Sequence, residues 1–168
     1  MSEDRSSQPS RSRIVVTVGV DLSDVSEHLL SQARDLVRSV EDAELHIVHV
    51  VKPESLRERL TEPIGSGGYS TRSLAESARW ELERLCETIV QGSGARWLVH
   101  TPVGRAADEL TRIARDVGAD VIVVETHDHA RRRVFHRSVV ARIVQLSSCS
   151  VLAIRDPKRA AARAAAAA

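Results

Sequence analysis

The fold is decided by 118-GADVIVVETHDHARRRVFHRSVVARIVQLSSCSVLAIR-155. Val121 to Val124 is a β-branched apolar run of strand length, entered through Asp120. A polar segment rich in His and Arg follows, from Glu125 to Arg137. From Ser138 to Ser147 apolar residues return every three or four positions, as on one face of a helix. Val151 to Ile154 is a second apolar run, and Pro157 closes it. Strand, loop, helix, strand is the pattern of a parallel crossover unit, since parallel neighbours cannot be joined by a tight hairpin. Strands apolar on both faces need cover on both sides of the sheet.

The same alternation runs upstream. Ile14 to Val20 is a strand ended by Asp21, and Ser23 is placed to cap a helix whose stripe is Val25, Leu29, Ala33, Leu36 and Val40. Leu45 to Val51 is a second strand, with His46 and His49 on opposite faces. The connection from Pro53 to Gly68 carries charge, Pro63 and a run of glycines, so a mobile stretch is expected there. Leu74, Ala78, Leu82, Leu85 and Ile89 mark a long helix ending near Gly92 and Gly94. Arg96 to Thr101 reads as a third strand, and Gly104 opens a helix carrying Ala107, Leu110, Ile113 and Ala114.

The fold class is therefore α/β: a doubly wound, five-stranded parallel sheet of Rossmann-like type with helices on both faces. One domain is expected over residues 14–156, between a polar lead (1–13, expected to be disordered) and an Ala/Arg-rich tail (157–168). A reversal of strand order would open a crevice at the strand ends after Val20 and Val124. Asp21 and the 125–138 loop should share it.

Composition excludes several classes. The 24 basic and 23 acidic side chains nearly cancel, and two Trp, one Tyr and one Phe are too few for a base-stacking platform, so no nucleic-acid partner is expected. No apolar run is long enough for a membrane span, and residues 1–13 lack the apolar core of a secretory signal. A cytoplasmic protein is expected, with Cys86 and Cys149 as buried thiols rather than a metal pair.

Three stretches resemble the universal stress protein family, whose pattern is matched over about residues 13 to 155. They are VVTVGVDLSDVS, VGRAADELTRIARDVGADVIVV and SVVARIVQLSSCSVLAIR. In the first, Asp21 falls where the family has its strand-end Asp, which nucleotide-binding members turn toward the base. The other two are similar to the family's Gly-led helix with Gly-Ala-Asp and strand, and to its last helix and strand. ATP-binding members carry G-x2-G-x9-G-(S/T) after the fourth strand. Here Glu125 and Asp128 take the first two glycine places, Arg137 the third and Ser138 the hydroxyl, with one residue fewer in the loop. Ser138 alone survives from that motif.

A glycine there supplies positive φ and room for phosphate oxygens against backbone N–H groups. Glu125 and Asp128 add bulk and negative charge; like charges ~4 Å apart repel by roughly 4 kcal/mol at an effective dielectric of ~20. Arg131 to Arg133 and Arg137 act in the opposite sense, and Ser138 opens a helix whose N-terminus favours anions. Loss of tight ATP binding is the expectation, so no cofactor is assigned. Asp21 has two readings: a ligand contact, or a local bond that starts the helix. Thr126-His127-Asp128-His129 is read as loop polarity rather than a metal site, because no second anchored pair accompanies it. His46, His49 and His100 show no catalytic arrangement, and no nucleophile–base set is legible, so an enzyme is not expected.

The resemblance implies a regulatory module of the stress response that acts by dimerisation and partner binding without ATP turnover. It also implies a homodimer through the final strand around Val151–Ile154; the other protein partner is not identified. The alternative is an adenine-nucleotide sensor, with ATP held by Asp21, Arg137 and Ser138.

Overall fold

The computed structural model describes residues 13–23, 26–52, 71–126 and 139–155. Among them strands and helices alternate: β1 (Arg13–Gly19), α1 (Ser26–Val37), β2 (Asp42–Val48), α2 (Thr71–Ile89), β3 (Arg96–His100), α3 (Ala106–Asp116), β4 (Val121–Glu125), α4 (Val139–Leu146) and β5 (Ser150–Ile154). All strand pairs are parallel, and the order across the sheet is β3-β2-β1-β4-β5. The chain winds outward from β1 to β3, then returns to the other side of β1 for β4 and β5. This is the doubly wound sheet that the alternation predicts.

Two cores result from the period-two alternation of side chains across the strands. On one face Val16, Val18, Leu45, Ile47, Val99 and Val123 pack with Leu29, Leu30 and Ala33 of α1 and Leu82 and Cys86 of α2. On the other, Val48, Ile122 and Val124 meet Ala107, Leu110, Ile113 and Ala114 of α3 and Ile143 of α4.

The Gly118-Ala119-Asp120 corner shows how sequence sets this geometry. Gly118 has φ +67°, in the left-handed region, and a β-carbon there would meet nothing within 4 Å, so backbone angle rather than space selects glycine. Ala119 N–H donates to Ala114 O at 2.8 Å and closes α3. Asp120 then fastens β4 to β1: its N–H donates to Val15 O at 2.8 Å, and its Oδ2 accepts from Val15 N–H at 2.9 Å.

Several boundaries differ from expectation. Arg13, counted with the polar lead, is the first residue of β1. β2 begins at Asp42, three residues early, because Glu44 is a buried strand residue in register with Val15 and Arg96. It also ends early, at Val48. Beyond it the chain stays close to β3 through His49 N–H to His100 O (3.0 Å) and Val51 N–H to Pro102 O (2.9 Å). In α1 the stripe turns over Val37, which is fully buried, whereas Leu36 is 41% exposed. Cys86 is buried as expected, but Cys149 is only partly so.

Candidate functional site

β1 and β4 are neighbours whose chains leave the sheet in opposite directions, so a crevice opens beyond Gly19 and Glu125. Gly19 ends β1 close under α3. A β-carbon on Gly19 would stand 2.7 Å from Leu110 Cδ2 and 3.1 Å from Val124 Cγ1, which is how closely α3 seats on the end of β1.

The exit of β1 forms the first wall. Val20 N–H donates to Val48 O at 2.9 Å, so the chain remains in the sheet for one more residue. Asp21 is exposed, and its Oδ1 accepts from Ser23 N–H at 3.0 Å, a local turn of the kind Asp favours. Between them Leu22 holds φ +57°, a left-handed conformation that costs an L-residue roughly 1–2 kcal/mol. Its side chain packs against the core beneath α1 and α2. Ser26 N–H then donates to Ser23 O at 3.0 Å as α1 begins. The Ser26 side chain is buried, and its Oγ has no hydrogen-bond partner among the described residues.

His49 belongs to the same end of the sheet, although the apolar pattern puts it inside a strand that in fact ends at Val48. Its Nδ1 lies 3.0 Å from Val20 O. A carbonyl only accepts, so Nδ1 carries the proton and Nε2 is left as an acceptor. Burial pushes its pKa below the usual 6.5, outweighing the Val20 bond and the Asp21 charge, so the neutral form is favoured.

Glu125 forms the opposite wall. It is the last residue of β4, 8% exposed, and aligned with Ile154 of β5. Thr126 N–H donates to Ile154 O at 2.8 Å. A buried acidic residue therefore ends β4 at the place assigned to the first glycine. Arg137 and Ser138 lie outside the described residues, as do Asp128, Arg131 to Arg133, His127, His129 and His136. Among the described residues no group of three or more His, Cys, Asp or Glu is placed to hold a metal ion.

The β5 side of the sheet carries a second feature. Among the described residues no strand lies outside β5. Leu152 on it is 40% exposed, and on α4 Val139, Val144 and Leu146 are 50%, 58% and 38% exposed. Ile143 is the one buried residue of α4. An apolar face and an open strand edge thus coincide.

Comparison with known proteins places these features in context. The profile of the universal stress protein family matches residues 13–155. The chain is similar to universal stress protein A homolog 1 of Coxiella burnetii, 28% identical over 141 residues that cover 83% of this chain and 94% of that one. Its structure is similar to that of universal stress protein UspA from Lactobacillus plantarum, with a TM-score of 0.63 and 20% identity over 84% of this chain and 97% of that one. It is also similar to a universal stress protein from Archaeoglobus fulgidus in complex with dAMP, with a TM-score of 0.58 and 21% identity over 84% and 97% of the two chains. At these identities the structural likeness is one of fold.

Proposed function

Because the chain belongs to the universal stress protein family, we propose that it serves the stress response as a homodimeric, partner-binding module that does not turn over ATP. The observation that carries this reading is the coincidence of the open β5 edge with exposed Leu152, Val144 and Leu146. An open apolar edge invites a partner, and a two-fold axis lets one patch satisfy its own copy. Fully burying a side chain such as Leu or Val is worth about 1.5–3 kcal/mol; these are 38–58% exposed, so the patch supplies part of what association costs and pairing along the β5 edge supplies more. Light scattering at micromolar concentration tests it: the wild type should be a dimer, and Leu152→Lys a folded monomer. A wild-type monomer throughout that range would remove the reading.

Absence of ATP turnover rests on Glu125. A triphosphate does not suit a strand end where a buried acidic residue replaces the small, backbone-exposing residue that phosphate oxygens need. Cytoplasmic residence is part of the same proposal: thiols unpaired in a disulfide at Cys86 and Cys149 fit a reducing compartment. No described helix is long and apolar enough to cross a membrane.

A second reading is favoured by the dAMP complex of the Archaeoglobus fulgidus protein. An adenine nucleotide would meet Asp21 at the exit of β1, with Arg137 and Ser138 toward its phosphates. Thermal melting separates the two readings. A ligand at ~100 times its dissociation constant adds about 2.7 kcal/mol, a readily measured rise in Tm. Millimolar Mg-ATP, ADP or AMP should leave Tm unchanged on the first reading and raise it on the second.

A further inference from the structure

At the edge of the sheet opposite β5, Glu44, His46 and His100 form a polar chain. β2 and β3 run parallel and in register, Glu44 opposite Arg96 and Val48 opposite His100, so all three side chains stand on the α3 side of the sheet. Glu44 and His46 are 7% and 5% exposed. Arg13 of β1 bonds Glu44 Oε2. Glu44 Oε1 lies 3.1 Å from His46 Nε2 and 3.7 Å from Arg96 Nη2. His46 Nδ1 lies 2.9 Å from His100 Nε2, and the two rings stack with centroids 5.1 Å apart. The chain thus passes from β1 through β2 to the edge strand β3.

One arrangement of protons satisfies every contact. Burial pushes the Glu44 carboxyl up, but the Arg13 bond and charge, with Arg96 and His46, outweigh it and hold Glu44 below 4.5. A carboxylate only accepts, so His46 Nε2 donates to it. His46 Nδ1 is then bare and accepts from His100 Nε2–H. A first added proton is accommodated: His46 becomes a double donor, and His100 moves its own hydrogen to Nδ1. A second proton leaves two N–H groups facing each other across 2.9 Å, and that contact must break.

We propose that this chain is an acid-released latch on β3: it ties the edge strand to β1 and β2 at neutral pH, and double protonation of the histidine pair unties it. Burial holds both histidines below 6.5: for His46 it, with the Arg13 and Arg96 charges, outweighs the Glu44 charge and bond, and for His100 the charges of His46, Arg79 and Arg112 add to it. Among the described residues the charged groups acting on the pair are Glu44 from β2, Arg13 from β1, Arg96 from β3, Arg79 from α2 and Arg112 from α3, the last bonded to Glu109 and Asp116. Among the described residues Glu44 is the one carboxylate bonded to either imidazole. A native state that refuses protons the opened chain accepts loses stability as pH falls. The latch is intact above about pH 6.5 and weakens below it. Each excluded proton raises the opening equilibrium up to about tenfold per pH unit.

Amide hydrogen exchange tests it, because single amides report each side of the sheet. His49 and Val51 N–H donate to His100 O and Pro102 O and report β2–β3 pairing; Asp120 and Thr126 N–H donate to Val15 O and Ile154 O and report β1–β4 and β4–β5. Corrected for the intrinsic pH dependence of exchange, protection at His49 and Val51 should fall several-fold between pH ~7 and ~5.5, up to about tenfold for each excluded proton. Protection at Asp120 and Thr126 should change less than about twofold. His100→Gln should remove the difference. The idea is overturned by equal loss at all four amides, or by a His100→Gln protein that keeps the full response. Ring signals of wild-type His46 and His100 titrating near 6.5 would overturn it as well, and this readout needs no variant.

Discussion

Ile143→Ala should cost this domain about 3–4 kcal/mol, and the figure follows from how α4 is held. Ile143 is 1% exposed and is the one buried residue of α4, a helix of eight residues. A helix that short has no stability of its own in water, so its position depends on tertiary contact. Truncation to alanine removes three carbons. At about 0.8 kcal/mol each they account for about 2.4 kcal/mol, and incomplete collapse of the cavity adds the rest. In a domain of this size Tm should fall by roughly 10 °C. Ile143→Val, one carbon smaller, should cost about 1 kcal/mol. Val144→Ala, at a position 58% exposed, should stay within about 0.5 kcal/mol in dilute solution. If α4 lies in the dimer interface, Val144→Ala acquires an additional cost as protein concentration rises, because association stabilises by mass action. Urea unfolding at two protein concentrations well apart reads all of this. A Val144→Ala variant that loses as much as Ile143→Ala in dilute solution would show that the helix packs the other way round.

Other outcomes follow from particular contacts. Gly19→Val should destabilise by about 1–3 kcal/mol, because even a β-carbon there stands 2.7 Å from Leu110 Cδ2; denaturant melts check it, and no loss would mean α3 seats less closely on β1. Burial pushes the Cys86 thiol up to about 12, so it should resist a thiol-specific reagent at pH ~8 until the chain is unfolded, while the partly exposed Cys149 reacts first. Arg142→Ala should cost no more than about 1 kcal/mol, since its ion pair with Asp108 joins two side chains 41% and 37% exposed. Glu44, held below 4.5 when folded, supplies stability that is present above pH 4.5 and lost as pH falls further; Glu44→Gln should flatten that part of an acid melting curve.

The sheet was legible wherever burial was continuous. Val121 to Val124 and Ile14 to Val18 are β-branched runs that only a doubly covered strand explains, and the Gly-Ala-Asp corner announced the entry to β4. The start of β2 was not legible, because Asp42 and Glu44 are polar. Glu44 is admitted to the interior by Arg13, 31 residues away, and by the register with Arg96. His46 and His100, 54 residues apart, meet only because β2 and β3 are adjacent and in step. Periodicity counts apolar positions without knowing what covers them. That is why periodicity assigns the exposed Leu36 to the core, and why the exposure of Val144 and Leu152 is set by the packing rather than by the pattern. Of the three residues expected at the crevice, Asp21 is exposed just beyond β1, and Arg137 and Ser138 fall outside the described residues.

The most direct test of the central claim is the mass of the intact protein in solution, by sedimentation equilibrium across the micromolar range. Association through β5 predicts twice the chain's 18.4 kDa for the wild type and a single chain's mass for Leu152→Lys. A wild-type mass of 18.4 kDa at every concentration, or a Leu152→Lys protein that remains a dimer, would contradict it.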